Sequence, residues 1–337
     1  MHYVLGVDGG NTKTIALVAA LDGTILGAGR GGCGDIYRAP LSAEHSDTIS
    51  AALANIEYAV TRALRAARIE RTELASAMFS MAGVDWPEDA EVLREAMQQR
   101  GFGRKILVQN DALSVVQAGF LHEPAVSLIC GTGAATGARN PDGRSWCSCN
   151  WQDQIQGGGQ LGQKTLDAIY RAALGIEPPT SLTPRVLEAF QMQTVEEVLH
   201  CCTGRNRKPP ISIHRLAPIL LSEAEAGDAV ARRIVLEHGH ALGDYALAAA
   251  RHVGIEGTAF ALVFAGGVFR HPTTILLDAI VERVRSTSPD VRPERSRFEP
   301  AIGVLLAALQ ASDVAINDEV IEKLIATLPD TSLFATV

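Results

Sequence analysis

Two glycine-rich segments, one in each half of the chain, most constrain how these 337 residues fold. Residues 8–14 (DGGNTKT) follow the apolar run 3–7, and residues 130–137 (CGTGAATG) follow the apolar run 125–130. Each segment then leads into a second strand-like run, so both halves begin as strand, glycine turn, strand. This repetition predicts a duplicated α/β lobe with a cleft between the two copies.

The hydrophobic pattern of the first half predicts a mixed sheet with helices on both of its faces. Five strand-like runs lie at residues 3–7, 14–20, 24–28, 75–81 and 105–108. A glycine-rich loop at 29–34 and a helix over 43–68 separate the third run from the fourth. The buried face of that helix is predicted from apolar residues three or four positions apart, namely Ile49, Leu53, Ile56, Val60 and Leu64.

The second half predicts a long helical stretch over 161–253, interrupted by the proline-rich segments 177–179 and 208–210. A strand at 260–265 and helices at 273–284 and 300–311 follow. We place one lobe at residues 1–117 together with the C-terminal helices of about 300–337. The other lobe takes residues 118–299 and includes a helical insertion.

Composition excludes several classes of protein. The formal net charge of −8 argues against a nucleic-acid-binding protein, which needs clustered Lys and Arg. No run approaches the roughly 20 apolar residues of a membrane span, and a strand begins at residue 3, so we expect no membrane partner and a cytoplasmic location. The six cysteines are then expected as reduced thiols, with metal binding by Cys147 and Cys149 or by Cys201 and Cys202 as the alternative.

The first glycine segment has the residue types of a phosphate-binding loop. Its candidate nucleotide contacts are Gly9, Gly10, Asn11, Thr12 and Lys13. Glycine lets backbone N–H groups approach an anion, while the Thr hydroxyl and the Lys ammonium can reach phosphate oxygens. Asp8 is suited to bind a hydrated Mg²⁺. The alternative is an ordinary hairpin whose Asp caps the turn.

The second half offers two further candidate nucleotide segments. Gly131, Thr132 and Gly133 repeat the strand–glycine turn device of the first half. Gly266 and Gly267 follow the strand at 260–265, where the absence of side chains would let an adenine or a ribose lie against the backbone. For this last pair, a tight connection between strand and helix is an equally good explanation.

Asp111 is the candidate catalytic base. Phosphoryl transfer to a hydroxyl needs a carboxylate within hydrogen-bond reach of the attacking O–H, and Asp111 lies where a strand ends and a helix begins. An Asp at such a junction is also a common helix N-cap, worth about 1 kcal/mol to the helix. We favour the base because of the glycine segments that accompany it.

Taken together and in this order, the segments resemble the N-acetylglucosamine kinase / BadF-BadG-BcrA-BcrD ATPase family of the actin-like ATPase superfamily. The resemblance covers nearly the whole chain. It is carried by six segments: 8–14, 80–85 (SMAGVD), 110–112 (NDA), 131–133 (GTG), 265–268 (AGGV) and 299–303 (EPAIG). Each segment is weak alone, and the set is specific.

The resemblance implies two ribonuclease-H-like lobes of the actin/hexokinase type, ATP and Mg²⁺ as cofactors, and transfer of the γ-phosphate to a sugar hydroxyl in a closing cleft. It implies that Asp111 is the base, that Asp8 is the carboxylate on the metal side, and that Thr12 and Thr132 contact phosphate. It also implies a homodimer, since family members are often dimers.

The acceptor side departs from the family pattern. Family sugar kinases carry two acidic residues where this chain has Gln163 and Lys164, and a tryptophan that is displaced or replaced by Gly158. Asp35 stands where the family has a sugar-binding asparagine, and a carboxylate there would favour a protonated amine. The candidate acceptor contacts are therefore Asp35, Asn110, Asp111, Gly158 and Gln163, although a solvated loop aspartate is an equal reading for Asp35.

The leading functional hypothesis is a kinase of an amino sugar or an N-acetylated sugar, with an altered acceptor site. One alternative is an ATPase that activates a redox enzyme, which would need an iron–sulfur cluster bound by cysteines such as Cys147 and Cys149. Another is a non-catalytic nucleotide or sugar sensor, suggested by the missing acidic pair at Gln163 and Lys164.

Overall fold

The chain is described by a computed structural model, which covers residues 2–118, 123–152, 157–204 and 212–335. It divides into two compact units. The first unit comprises Met1–Glu123, Pro141–Asn150 and Ser296–Val337, and the second comprises Pro124–Asn140 and Trp151–Arg295. The predicted α/β class, with two mixed sheets flanked by helices, is confirmed.

The strands and helices of the described residues are as follows. The strands are β1 (Tyr3–Gly9), β2 (Thr14–Ala20), β3 (Ile25–Gly31), β4 (Leu74–Met81), β5 (Lys105–Asn110), β6 (Ala125–Cys130), β7 (Ala134–Arg139), β8 (Ser145–Cys147), β9 (Ala261–Ala265) and β10 (Arg292–Arg295). The α-helices are α1 (Thr48–Ala67), α2 (Pro87–Gln99), α3 (Ala112–Gln117), α4 (Gly158–Ala173), α5 (Leu182–Phe190), α6 (Val195–Cys202), α7 (Ala217–Glu225), α8 (Ala229–Val253), α9 (Ile275–Arg285), α10 (Pro300–Ala311) and α11 (Asp318–Ala326).

The sheet of the first unit has the strand order β3-β2-β1-β4-β5. The β1–β2 and β2–β3 pairs are antiparallel, whereas β1–β4 and β4–β5 are parallel. Side chains alternate across the sheet, so Leu5 and Val7 join a core cluster with α1 while Val4 joins a second cluster with α10. The first unit thus has helices on both faces of one mixed sheet.

Close packing of β3 against α1 corrects two sequence predictions. Gly29, which we assigned to a loop at 29–34, lies inside β3, where an added Cβ would stand 2.0 Å from the Ala59 carbonyl oxygen. Small residues on both elements permit this approach, and α1 buries Ala59 and Ala63 on the contact face. Ile49, predicted on the buried face, is instead 39% exposed, and it lies in the first turn of α1, which begins at Thr48 and not at residue 43 as predicted.

The second unit contains the strand sequence β10-β9-β6-β7 of the other sheet. β6 pairs in parallel with β9 and antiparallel with β7, and β9 pairs in parallel with β10. The predicted interruption at 177–179 falls between α4 and α5, whereas the one at 208–210 lies outside the described residues. The strand β10 was not predicted, since its sequence, Arg-Pro-Glu-Arg, has no apolar alternation.

The expectation of six reduced thiols is wrong for one pair. Cys147 and Cys149 form a disulfide, with their Cα atoms 5.5 Å apart. The backbone turns sharply at Cys149, which adopts a positive φ of 45°, and this brings the two side chains together across a single residue. Cys33, Cys130, Cys201 and Cys202 are free thiols.

Among the helices of the described segments, none combines the length and the apolar character that crossing a lipid bilayer requires.

Candidate active site

Three parallel strands of the first unit place the candidate acidic residues at one sheet edge. In the register of these strands, Asp8 on β1 pairs with Ser80 on β4, and Met81 on β4 pairs with Asn110 on β5. The carboxyl ends of adjacent parallel strands meet at the same edge, which is where α/β sheets commonly carry their ligand sites. Asp8 and the residues that follow β4 and β5 are therefore neighbours in the fold.

The first glycine segment forms the tight turn between β1 and β2. The Gly10 N–H donates to the Lys13 carbonyl oxygen at 2.8 Å, and the Gly34 N–H donates to the Gly10 carbonyl oxygen at 3.0 Å. Asn11 and Thr12, at the tip, are exposed. The turn therefore leaves the polar tip accessible, and phosphate binding by Gly9 to Lys13 stays a prediction.

Lys13 is engaged within the first unit. Its ammonium group donates a hydrogen bond to the Phe334 carbonyl oxygen, near the end of the described chain. Its positive charge also lowers the pKa of Asp8, opposing larger effects that raise it. The C-terminal segment that follows α11 thus contacts the first glycine turn through this side chain.

Asp8 and Asp111 are electrostatically strained carboxyl groups. Burial raises the pKa of Asp8 to about 7, and the negative charges of Asp111 and Glu299 add to the rise. Burial likewise raises the pKa of Asp111 to about 7, with further contributions from the charges of Asp85 and Asp35. Each group is costly to ionise because it is partly removed from water and faces like charges. Such shifts are typical of functional sites.

Asp111 is not the side-chain cap of α3. Although it occupies the N-cap position, it has helical backbone angles and makes no capping hydrogen bond with its side chain. The Asn110 side-chain oxygen instead accepts from the Ala112 N–H at 3.0 Å. The side chain of Asn110 therefore caps the start of α3, and the role of Asp111 as a base stays a prediction.

Asn110 is buried and has partners for both ends of its amide. Besides accepting from Ala112, it donates through Nδ2 to the Val84 carbonyl oxygen at 3.1 Å and to Asp85 Oδ1 at 3.2 Å. Asn110 thereby joins the end of β5 to the segment that follows β4. Its predicted acceptor contact is not tested by this geometry and stays a prediction.

Asp35 is a buried carboxylate, with 4% of its surface exposed, so the reading of a solvated loop residue is wrong. Its Oδ1 accepts from the Tyr37 N–H at 2.8 Å. An added Cβ on Gly83 would lie 2.5 Å from the same oxygen, which shows how closely Asp35 packs on the turn after β4. The negative charge of Asp35 raises the pKa of both Asp85 and Asp111.

In the second unit, the second glycine segment meets the start of α4. The Gly158 N–H donates to the Gly131 carbonyl oxygen at 2.7 Å, and the Gly159 N–H donates to the Thr132 carbonyl oxygen at 2.9 Å. A Cβ on Gly157 would lie 2.1 Å from the Gly133 carbonyl oxygen, so this position accepts only glycine without rearrangement. Gly158 contacts the predicted phosphate loop through its backbone, and its predicted contact with the acceptor stays a prediction.

The Gly266–Gly267 pair lies against the same loop. Gly266 has a positive φ of 100°, and a Cβ on it would stand 2.4 Å from the carbonyl oxygen of Cys130, the residue before Gly131. Gly267 is exposed, and nothing lies within 4 Å of where its Cβ would be. The structure therefore brings together the two nucleotide segments predicted in the second half, at the carboxyl ends of β6 and β9.

Two side chains of α4 lie at the positions where the family resemblance implies acidic residues. Gln163 is exposed and donates to Asp167 Oδ1, one turn along the helix, at 3.0 Å. Lys164 Nζ lies 3.1 Å from Nδ1 of the buried His238, and burial lowers the pKa of this lysine. The acceptor contact proposed for Gln163 stays a prediction.

Sequence reasoning missed three side chains around this edge of the first unit. Asp85 closes a segment that we used for the resemblance, yet we gave it no role. Asp89 lies four residues later, and Tyr37 lies two residues after Asp35. The Asp85 carboxyl could have been found from its place after a predicted strand, but the Tyr37–Asp89 contact spans 52 positions and leaves no local signal.

The residues present are compatible with a nucleotide-bound magnesium ion. Within the described ranges, no group of three or more His, Cys, Asp or Glu residues could bind a metal by itself. Mg²⁺ commonly keeps several waters and uses only one or two carboxylates together with substrate phosphates. Burial makes the ionised forms of Asp8 and Asp111 costly, and a divalent cation nearby would offset that cost.

The sequence profile of the BadF/BadG/BcrA/BcrD ATPase family matches residues 5–308. The chain belongs to this family. Among its ATPase-family relatives, an N-acetyl-D-glucosamine kinase from Dictyostelium discoideum is 24% identical over 91% of this chain and 98% of its own length. An N-acetylmuramic acid/N-acetylglucosamine kinase from Clostridium acetobutylicum is 24% identical over 93% of this chain and 100% of its own.

The solved structure of another protein has the same fold as this chain. It is a Chromobacterium violaceum protein provisionally assigned as an N-acetylglucosamine kinase, with a TM-score of 0.66 and 22% identity. The match covers 92% of this chain and 99% of that protein. At this identity the likeness establishes the fold alone.

Replacing Asp111 with Asn is expected to stabilise the protein at neutral and alkaline pH. The pKa of Asp111 rises from 3.8 to about 7 on folding, so the folded state binds the proton more tightly and loses stability as the pH rises through that window. Thermal melting from pH 4 to 8 should show the advantage of Asp111→Asn growing up to about pH 7 and then levelling. The exposed Asp290→Asn is the control, and an advantage independent of pH would contradict the assignment.

Proposed function

We propose that the protein is an ATP-dependent kinase that transfers the γ-phosphate to a hydroxyl of an amino sugar or an N-acetylated sugar. The observation that carries the proposal is the Asp111 carboxyl, which directly follows the parallel strand β5, makes no capping bond with its side chain and has its pKa raised to about 7. The kinase names of the two relatives, aligned over nearly the whole chain, support the sugar acceptor.

Asp111 is the general base in this proposal. A base is most useful when its pKa lies near the working pH, because it is then ionised and still basic enough to take a proton. The acceptor hydroxyl would give its proton to Asp111 while its oxygen forms the new bond to the γ-phosphorus. The bond from that phosphorus to the β-γ bridging oxygen breaks, and ADP leaves with its electron pair.

The nucleotide contacts remain those predicted from the sequence. In the first unit they are Gly9, Gly10, Asn11, Thr12 and Lys13, and in the second they are Gly131, Thr132, Gly133, Gly266 and Gly267. The hydrogen bonds between Gly158 and Gly131 and between Gly159 and Thr132 support a preorganised backbone at the second segment. Preorganised N–H groups stabilise phosphate charge without reorganising during the reaction.

Mg²⁺ is proposed as the second cofactor. When bound, it would supply positive charge that neutralises the phosphate oxygens and aligns the γ-phosphate for transfer. Asp8 would bind it through water, and this role is compatible with the raised pKa of the Asp8 carboxyl, since a nearby cation favours the ionised form. Asp111 then stays free for the acceptor hydroxyl.

Asp35 is proposed to contact the acceptor, together with Asn110, Gly158 and Gln163. Its burial beside Asp85 and Asp111 supports a site that favours positive charge on the acceptor, such as a protonated amine. The lobe boundaries at 1–117 with 300–337 and at 118–299, the homodimer and the cytoplasmic location also stay predictions from the sequence.

The alternative of an iron–sulfur activator loses its candidate ligands. Cluster ligation needs cysteine thiolates, and Cys147 and Cys149 are joined to each other in a disulfide. The sensor alternative predicts that the nucleotide or the sugar binds without any sugar-stimulated release of ADP. A measurement of ADP release therefore distinguishes it from the kinase.

Asp111→Asn is expected to lower turnover by roughly 10²-fold or more while leaving ATP affinity near its normal value, because the base acts on the acceptor and not on the nucleotide. ADP release is first measured with glucosamine, N-acetylglucosamine, N-acetylmuramic acid and glucose. The best acceptor is then used for the variant, with Asp290→Asn as the control. ADP release that no sugar stimulates would contradict the kinase proposal, and unchanged turnover of Asp111→Asn would contradict the base.

Gly157→Ala is expected to weaken ATP binding by about tenfold or more, because the new methyl group would displace the Gly131–Gly133 backbone from its position beside α4. Gly159→Ala is the matched control, since its methyl would lie 3.3 Å from the nearest carbonyl oxygen instead of 2.1 Å. Calorimetric titration with ATP and Mg²⁺ measures both. Equal affinities for the two variants would contradict a phosphate role for this loop.

A further inference from the structure

One buried carboxylate of the first unit joins the two loops that carry Asp35 and Asp85. Asp89 lies in the first turn of α2 and is 7% exposed. Its Oδ2 accepts from the backbone N–H groups of Asp85 at 3.0 Å and Trp86 at 2.8 Å. Its Oδ1 accepts from the Tyr37 phenol at 2.6 Å. Asp89 therefore accepts hydrogen bonds from backbone N–H groups at the start of α2 and also from a tyrosine in a loop that is 52 residues distant in sequence.

Tyr37 continues this connection to Asp35. Its backbone N–H donates to Asp35 Oδ1 at 2.8 Å, while its phenol donates to Asp89. The hydrogen bond to the Asp89 carboxylate is the largest cause that raises the pKa of Tyr37 to about 12. A hydrogen bond to an ionised acceptor is roughly twice as strong as a neutral one. We call the Tyr37 and Asp89 side chains, joined in this way, the Tyr37–Asp89 strap.

The other side of Asp35 is confined by the turn that follows β4. An added Cβ on Gly83 would lie 2.5 Å from Asp35 Oδ1 and 3.2 Å from the Ile36 nitrogen. Gly83 has a positive φ of 79°, which a side chain would disfavour in any case. Asp35 is thus fixed between a glycine turn and the strap, and Asp85 is fixed by the same Asp89 carboxylate.

We propose that Tyr37 and Asp89 are positioning residues, which hold Asp35 and Asp85 in the geometry that binds the acceptor. The inference rests on the proposed kinase function, and it assigns neither residue a contact with the reacting atoms. The Tyr37 side chain is 54% exposed, so its phenol contributes little to the core. An exposed tyrosine tied to a buried carboxylate serves the placement of the loop more than the stability of the fold.

A purely structural role makes a different prediction. Asp89 also caps the start of α2 by accepting from the Trp86 backbone N–H, and if that is its only role, the Tyr37 phenol adds nothing to the cap. Removing the phenol would then leave the kinetics unchanged. Removing the carboxylate would lower the melting temperature without changing the KM for the acceptor more than the KM for ATP.

The test is a double-mutant cycle with Tyr37→Phe and Asp89→Asn, both nearly isosteric. If the strap acts as one unit, Tyr37→Phe raises the acceptor KM about tenfold, with the KM for ATP unchanged and little loss of kcat. The double variant should have no higher acceptor KM than Asp89→Asn alone, since the second change removes a bond already lost. Tyr58→Phe, at a tyrosine of α1 that is 56% exposed, is the control.

An unchanged acceptor KM in Tyr37→Phe, or equal increases in the KM values for acceptor and ATP, overturns the proposal. Hydrogen exchange separates this failure from a failure of the kinase assignment, because it needs no acceptor. Faster exchange of the Asp85 and Tyr37 backbone amides in Tyr37→Phe supports the strap. Unchanged exchange at both amides overturns it, whether or not a sugar stimulates ADP release by the native protein.

Discussion

The proposed chemistry of this chain depends on keeping several carboxylates together in a partly desolvated place. Asp8 and Asp111 share one sheet edge, and Asp35 and Asp85 add negative charge to it. Parallel pairing of β1, β4 and β5 brings Asp8, Asp85 and Asp111 together, since each of them ends or follows one of these strands. The raised pKa values are a direct consequence, and they support the proposed role of Asp111 as a base.

In the second unit, the proposed phosphate contacts are backbone groups of glycine-rich turns and not charged side chains. Three glycine-containing segments converge at the ends of β6 and β9, and at Gly157 and Gly266 even a methyl group would collide with neighbouring backbone. Hydrogen bonds between α4 and Gly131 and Thr132 then fix the turn. The first unit therefore carries the buried carboxyl groups, and the second carries the glycine-rich backbone turns.

The elements that sequence predicted best are those with an unambiguous local signal. The strand Ala125–Cys130 and the helix Pro300–Ala311 have the predicted bounds, because an apolar run and an N-terminal proline mark them. Gly29 was misassigned because a glycine in a strand looks like a loop until its helical neighbour is known. The Cys147–Cys149 disulfide was missed for a related reason, since it depends on a local backbone turn and not on spacing.

For the site too, the sequence indicated some of the residues but not the contacts between them. Asp8 and Asp111 could be chosen from their places at the ends of strands and Asp35 from the family resemblance, but the electrostatic effect of neighbouring carboxylates on Asp8 and Asp111 could not be predicted. That Asn110, and not Asp111, caps α3 is a matter of side-chain direction, which no sequence pattern shows. The strap between Tyr37 and Asp89 depends on a contact between distant loops, and only the folded chain reveals it.

The pH dependence of kcat/KM for the sugar acceptor, measured at saturating ATP and Mg²⁺, tests the central claim most directly. If the ionised Asp111 takes the proton of the hydroxyl, kcat/KM falls about tenfold per pH unit on the acid side of a single ionisation. The midpoint should lie well above the ordinary value of 3.8 and approach the value of about 7 that burial and like charges impose. A profile that stays flat from pH 8 to pH 5 would contradict the account.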